Sequence, residues 1–365
     1  MKVTVSVTSD LVTNQRVHKV CNSLIQNGYE VKLVGRRLHR SKPVKREYRT
    51  VRMNLLFRRS FLFYLEYNIS LFFYLLFDKS DILLSNDTDT LLANYLVSVI
   101  KKKPLVFDAN EIFPETPEVT DRTLAKKFWT LIEDYIFPRL HSSYTVCESI
   151  ASYYNEKYKM NMQVVRNTPA KKTTPVNTVS KESPIDSKGK KVIIYQGNVC
   201  AGRGLEWMIE AMTHLDNFIF YIIGDGDKTK ELKVQAKKLH LNDKVFFLGK
   251  IPFEEISEYT VKADIGVNLL ENWGLSYYYS LPNRIFDYIR EGVPIISSDF
   301  PEVHKIITQY KVGMLVHNFD PLHIASTIKK MVQIGKNKFS FAKANADLCW
   351  ENEEPVLLKV IRNAV

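Results

Sequence analysis

Arg284 and Asp287 lie three residues apart in the stretch SLPNRIFDYIREGVPIISSD, residues 280–299. The pattern predicts a loop, a short helix stopped by Gly292 and a buried strand over VPIIS. Pro282 suits a first helical turn, where its missing N–H would have no partner anyway. A helix whose amino end projects from a loop offers free N–H groups and positive dipole to a phosphate. Arg284, in that turn, can add a bidentate charge-assisted contact. Asp287 shares its face and can accept hydrogen bonds from vicinal hydroxyls such as a ribose presents. Spacing alone leaves a second reading open, an i,i+3 surface ion pair worth roughly a few tenths of a kcal/mol.

A second phosphate feature is QGNVCAGRGLEWMIEA, residues 196–211. A strand ends at Gly197, a loop of small residues follows, and Arg203-Gly204 opens a helix. Small residues allow the backbone close to a phosphate, and Arg203 supplies charge. Two guanidinium groups at one sheet edge would form a clamp for a leaving diphosphate. Two Asp-x-Asp pairs, Asp87 with Asp89 and Asp225 with Asp227, have the residue types of a divalent-cation site. They read better as turn and helix-cap aspartates, and no metal is expected. GDGDK lacks the third glycine of a dinucleotide fingerprint. The eight histidines show no ligand spacing, and His18 and His304 read as helix-surface residues.

The elements that must position these residues alternate. Strands are expected at 3–8, 30–35, 81–86, 104–110 and 142–147, with helices at 15–28, 61–77, 91–102 and 124–140 between them. That order implies an α/β fold with a doubly wound parallel sheet, whose ligands gather beyond the carboxyl ends of the strands. Residues 169–191 are polar, proline-bearing and non-periodic, the best linker in the chain. Strand–helix units resume at 192, giving domains at 1–168 and 192–340 and a helical tail at 341–365.

Residues 280–299 resemble the donor-binding segment of retaining glycosyltransferases of family 4 with the GT-B fold, in the subgroup written "SLPNK-[LI]-FEY-[MI]-xxGxPVIxSD". Arg284 stands for its lysine and Asp287 for its glutamate. The resemblance covers nearly the whole chain. It implies two Rossmann-like doubly wound domains facing a central cleft, with the tail helix crossing back to the first. Ser280, Leu281, Pro282 and Asn283 would belong to the donor segment. Arg284 and Arg203 would contact the donor diphosphate, beside Gly197, Asn198 and Gly204, and Asp287 would hold the ribose. Gly249 and Lys250 would line the base. A glutamate that touches the donor sugar in many members falls on Tyr279. The string ENWGL resembles "EGFGL" but starts at Glu271, eight residues upstream.

On the acceptor side, TSDLVTNQRV resembles a "D-x-R-V" opening loop, which would place Asn14 and Arg16 facing the cleft. NDTDTLLA and FDANEIFPETPE resemble "HDxDTLL" and "YDAHExFPExPE", bringing in Asp87, Asp89, Asn110 and Glu111. Asn110 replaces a histidine, so no histidine base stands there. In retaining members the departing diphosphate is thought to take the acceptor proton, with Glu111 and Asn110 positioning. Apart from the nucleotide-sugar substrate, no cofactor is implied.

At 365 residues the chain fits two domains. Its four cysteines show no CxxC spacing, as expected in a reducing compartment. The opening MKVTVSVTSD reads as a strand and not as a signal peptide, so a cytoplasmic location is expected. The net charge of +11 is concentrated early: residues 36–59 hold ten Lys/Arg and one acid, Glu47. The apolar run at 61–77 follows, short for a membrane span and interrupted by Glu66 and Asn68. Either it is a helix packed on a sheet behind a solvated basic loop, or the basic face rests on anionic lipid at the inner face of the cell membrane. No nucleic-acid recognition motif accompanies the charge.

The expected activity is therefore retaining, metal-independent transfer of a sugar from a nucleotide-diphosphate donor to a glycan or lipid-linked acceptor, in surface polysaccharide synthesis. Three alternatives are an epimerase acting on the same donor, a non-catalytic nucleotide-sugar-binding subunit, and a peripheral membrane scaffold.

Overall fold

The computed structural model describes residues 1–12, 14–39, 41–58, 60–171 and 185–365. The expected linker at 169–191 lies largely outside them. The chain divides into two compact units. One comprises Met1–Asn167, Gly274–Ser276 and Asn352–Val365; the other comprises Thr168–Trp273 and Tyr277–Glu351.

The first unit runs β1 (Lys2–Asp10), α1 (Gln15–Gln26), β2 (Glu30–Arg36), β3 (Arg49–Met53), α2 (Ser60–Phe77), β4 (Ile82–Asn86), α3 (Thr88–Lys101), β5 (Leu105–Ala109), α4 (Pro117–Thr120), α5 (Thr123–Ile136), β6 (Ser142–Thr145), α6 (Glu148–Tyr158) and β7 (Gln163–Val164). Its seven strands lie in the order β3-β2-β1-β4-β5-β6-β7, and each pairing is parallel. β1 alternates valine with Thr and Ser, yet Val3–Val7 are buried without a break, as is all of β4, because helices cover both faces of such a sheet. The strand order reverses at β1, making a switch point between β1 and β4 where ligands of such sheets collect. The tail joins this unit through Arg166, which donates from its backbone N to Glu353 Oε2 (2.9 Å) and from Nη1 to Glu353 Oε1 (3.2 Å).

Part of the stretch expected as a basic loop is the edge strand β3. RTVRM sits at a sheet border, where charged side chains protect an unpaired edge. The two polar residues that interrupt α2 are satisfied locally. Glu66 accepts from the backbone N–H groups of Leu56 and Phe57, both at 2.8 Å. Asn68 Nδ2 donates to Tyr64 O (2.9 Å) and Asp89 O (2.8 Å). Phe63, Tyr67, Leu71 and Leu75, one turn apart, pack on Val34, Leu83 and Val97. α2 is thus a helix packed on the sheet.

The second unit runs β8 (Lys191–Gln196), α7 (Leu205–Ala211), β9 (Phe218–Ile223), α8 (Thr229–Lys238), β10 (Val245–Gly249), α9 (Phe253–Thr260), β11 (Ile265–Asn268), the second half of α10 (Leu275–Tyr278), α11 (Asn283–Arg290), β12 (Ile295–Ser298), α12 (Pro301–Tyr310), β13 (Gly313–Val316), α13 (Pro321–Ile334) and α14 (Ala342–Asp347); α15 (Trp350–Asn363), most of which belongs to the first unit, closes the chain. Its six parallel strands lie in the order β10-β9-β8-β11-β12-β13. The switch point falls between β8 and β11. α7 and α13 pack on the sheet through Leu205, Met208, Ile324 and Ile328.

Candidate active site

The carboxyl end of β8 leads directly into the loop at residues 197–204. Backbone hydrogen bonds lace it to the end of β9: Gly197 N donates to Ile223 O (3.0 Å) and Val199 N to Asp225 O (3.3 Å). The turn needs glycine at its two ends. Gly197 has φ +136°, and a Cβ on Gly204, at φ +64°, would lie 2.1 Å from Leu269 O.

α11 begins at Asn283, with Pro282 as its extended N-cap and not, as expected, inside the first turn. Its apolar side buries Ile285, Phe286, Tyr288 and Ile289. Arg284 is only 8% exposed. Its guanidinium lies 4.3 Å from the centre of the Tyr195 ring, a cation–π contact, and Tyr195 is fixed by donating from its hydroxyl to Asn198 O at 2.6 Å. Arg284 Nη1 is buried and has no hydrogen-bond acceptor. Such a donor carries a desolvation cost of about 1–3 kcal/mol or more until an acceptor meets it.

Arg203 stands over Tyr277, 4.7 Å from the ring centre, and its Nε donates to Cys200 Sγ at 3.3 Å. Arg203 and Arg284 line one cavity of about 310 Å³ with Gly197, Pro282, Asn283 and Asp287, and Phe253 and Ile256 form its apolar wall. Asp287 Oδ2 accepts from Gln196 Nε2 (2.9 Å), and Gln196 Oε1 accepts from Thr260 Oγ1 (2.7 Å). That relay orients the carboxylate through two residues, Gln196 and Thr260, that sequence reasoning missed.

Around the cavity, Ser280 Oγ closes its turn on Tyr277 O (2.8 Å), and Leu281 is a core residue. Glu271 donates from its backbone N to Gly202 O at 3.0 Å, and Tyr279 packs beside Tyr278. Lys250 is exposed beyond the end of β10. Asp225 Oδ1 accepts from Thr229 Oγ1 and Gly226 N, both at 2.9 Å, bonds within its turn that hold its carboxyl below the usual range.

In the first unit the expected residues gather at the carboxyl ends of β1, β4 and β5, with two corrections. Arg16 does not face outward. It is 5% exposed, its Nη2 pairs with Asp108 Oδ1 at 2.8 Å and its Nη1 donates to Val165 O at 2.9 Å. Asn14 caps α1, its Oδ1 accepting from Val17 N at 3.1 Å. Both contacts are structural: a buried guanidinium needs a carboxylate beside it, and a helix start needs a side-chain acceptor.

Asp87 also departs from the helix-cap reading, because its side chain makes no cap bond to α3. Instead it grips Asn110, accepting from the backbone N (2.8 Å) and from Nδ2 (2.7 Å). Asn110 Oδ1 is left without a donor. Glu111 follows, half-buried, its carbonyl accepting from Tyr154 OH at 3.4 Å. Asp89 accepts from Thr8 Oγ1 at 2.5 Å. Burial pushes Asp87 up to about 6 and, with the charge of Asp87, Asp89 to about 8. Glu133, under Tyr154 OH (3.0 Å), is pushed by burial to about 8. Sequence reasoning missed Asp108 and Glu133; Glu133 was signalled only as a lone acid on the apolar side of α5.

A larger cavity of about 490 Å³ opens at the amino ends of β1 and β2, beside Lys2, Tyr29, Lys32 and Asp78. It lies at the wrong end of a parallel sheet for a ligand, and its Lys32 and Asp78 already pair.

Residues 177–347 match the family model described as Glycosyl transferases group 1. The chain is 26% identical over 135 residues to alpha-monoglucosyldiacylglycerol synthase of Streptococcus pneumoniae, covering 35% of this chain and 29% of that protein. It is 27% identical over 175 residues to the lipopolysaccharide core biosynthesis glycosyltransferase LpsD of Rhizobium meliloti, covering 48% of each. The chain therefore spans less than half the length of these two relatives. Among solved structures, sucrose-phosphate synthase from Thermosynechococcus elongatus superposes with a TM-score of 0.82 at 14% identity, over 99% of this chain and 98% of that one. The Anabaena protein HepE in complex with UDP gives 0.72 at 14% identity, over 99% and 100%. The fold is that of the GT-B glycosyltransferases, and the matched segment is similar in sequence to group 1 glycosyl transferases.

Proposed function

We propose that this chain is a retaining glycosyltransferase that moves a hexose from a nucleotide-diphosphate donor to a glycan or lipid-linked acceptor in surface polysaccharide synthesis. The observation that carries the reading is the buried Arg284 Nη1, which lacks an acceptor in a cavity that Arg203 also lines. Two guanidinium groups at one diphosphate stabilise the charge that develops as the bond from the sugar C1 to the phosphate oxygen breaks. The new bond forms from the acceptor hydroxyl to C1 on the same face, and the hydroxyl proton passes to the departing phosphate oxygen. Asp287, oriented by Gln196, accepts from the ribose hydroxyls. Asn110, gripped by Asp87, and Glu111 are the acceptor-side residues that the family resemblance implies.

The relatives, a diacylglycerol glucosyl synthase and a lipopolysaccharide core enzyme, favour a lipid-linked or glycan acceptor. HepE was solved with UDP, which makes a uridine donor the first to try. The site supplies its own cations, so turnover should survive a chelator.

Titration calorimetry with UDP, GDP and ADP tests the reading. One of them should bind, and Arg284→Ala should weaken that binding by about 1.5–3 kcal/mol, roughly 10- to 150-fold. Equal binding by both proteins would overturn the clamp. NMR of the product's anomeric proton decides retention.

A further inference from the structure

We infer that the outer face of α2, α3 and α5 is a docking surface for an anionic lipid bilayer. The surface takes from the basic stretch before α2 only residues 56–58, and its argument does not depend on the transfer reaction.

α2 is 18 residues long with a mean hydropathy of 1.4, yet only 22% of it is buried. Phe63, Tyr67, Leu71 and Leu75 hold it to the sheet, so it cannot leave to cross a membrane while the unit stays folded. Its other side repeats the same spacing. Phe61, Leu65, Ile69, Phe73 and Phe77 recur every fourth residue and are all exposed, Phe77 by 80%. Residues at that spacing form one continuous stripe. A helix apolar on every side is ordinarily covered on every side.

The stripe continues onto its neighbours. α3 exposes Leu96, Val99 and Ile100, and α5 exposes Leu131 and Tyr135. Ring contacts tie the layer together: Phe61 meets Phe128 at 5.5 Å, and Tyr95 meets Tyr135 at 6.2 Å. At the amino end of α2 an exposed apolar tip, Leu56 and Phe57, is held out by its backbone bonds to Glu66. An apolar face of this extent marks an interaction site.

Charge selects the occupant. The only ionisable group of α2 other than tyrosine is Glu66, engaged with that tip. Exposed cations stand at the helix ends: Arg58 before α2, Lys102 after α3, and Arg122, Lys127 and Arg139 around α5. Among the described residues, the exposed acids nearby are Asp121 and Asp134, and Asp134 accepts from Tyr158 OH. Apolar side chains flanked by Lys and Arg are the composition of a segment that lies in the headgroup region of an anionic membrane. A soluble protein partner would need complementary acids around an apolar patch, and a second copy would bring the same cations together.

Flotation of the full chain with vesicles of phosphatidylglycerol and phosphatidylcholine, against phosphatidylcholine alone, tests the inference. The chain should float with the anionic vesicles, several-fold less at high salt, and only weakly with the neutral ones. Leu65→Ser/Ile69→Ser/Phe73→Ser should lower the bound fraction at least tenfold while the thermal unfolding midpoint holds. The single variant Phe73→Ser, with a smaller loss, serves if the triple variant fails to fold. Arg58→Glu/Lys102→Glu should reduce binding to anionic vesicles only. Wild-type chain that stays with the soluble fraction, or variants that float as it does, would overturn the inference. So would a dimer in sedimentation that the serine variants dissociate, because the face would then be an interface between copies.

Discussion

Gly197 and Arg284 fit against each other: a Cβ on residue 197 would stand 3.3 Å from Arg284 Nη2 and 3.6 Å from its Cζ. The strand-end turn and the guanidinium come from segments more than eighty residues apart in sequence and occupy one space. Gly197→Ala would also strain a backbone at φ +136°. Because the guanidinium can shift into the cavity, the substitution should cost donor binding about tenfold with a smaller change in unfolding midpoint. Calorimetry beside thermal melts reads both; a large stability loss with intact binding would refute the relationship.

Arg284→Lys should not rescue Arg284→Ala. A lysine loses the planar contact with Tyr195 and presents one point charge in place of a fork. We expect the lysine variant to recover less than half of the lost binding energy. Wild-type affinity in Arg284→Lys would mean that charge alone matters there.

Arg16 should behave as scaffold. Arg16→Met leaves Asp108 buried without its cation, a change that typically costs about 3–5 kcal/mol. Denaturant unfolding should show the loss, and a paired Arg16→Met/Asp108→Leu variant should recover part of it. A variant of normal stability with a raised acceptor KM would instead restore Arg16 to the acceptor side.

The buried carboxyls Asp89 and Glu133 predict a falling stability with pH. Both are pushed up to about 8 by burial, against ordinary values near 4. Between those limits the folded chain binds more protons than the unfolded one, so stability declines as pH rises from about 4 to about 8. Asp89→Asn and Glu133→Gln should flatten the profile and melt higher than wild type above pH 8. Parallel profiles for all three proteins would contradict it.

Much of the fold was legible locally. Apolar runs of strand length alternating with helical periodicity dictate parallel strands with crossover helices, and two doubly wound sheets result. The candidate donor residues were legible for the same reason, since Arg203, Arg284 and Asp287 follow strand ends or open helices, where such sheets bind ligands. Asp225 in its turn was read from local chemistry too. β3 was not, because RTVRM inside a basic stretch carries no apolar alternation and becomes a strand only by pairing with β2.

What the sequence by itself determined was the period of its elements and the residue types at their ends, both set by interactions within a few positions. Only tertiary structure decided that Arg16 meets Asp108 across 92 residues, that Asp87 grips Asn110 in place of capping its helix, and that α2 leaves the side bearing Leu65, Ile69 and Phe73 uncovered. Those outcomes depend on which faces come together in the folded unit. A side chain's partner is fixed by packing between distant segments, and no short-range pattern records it.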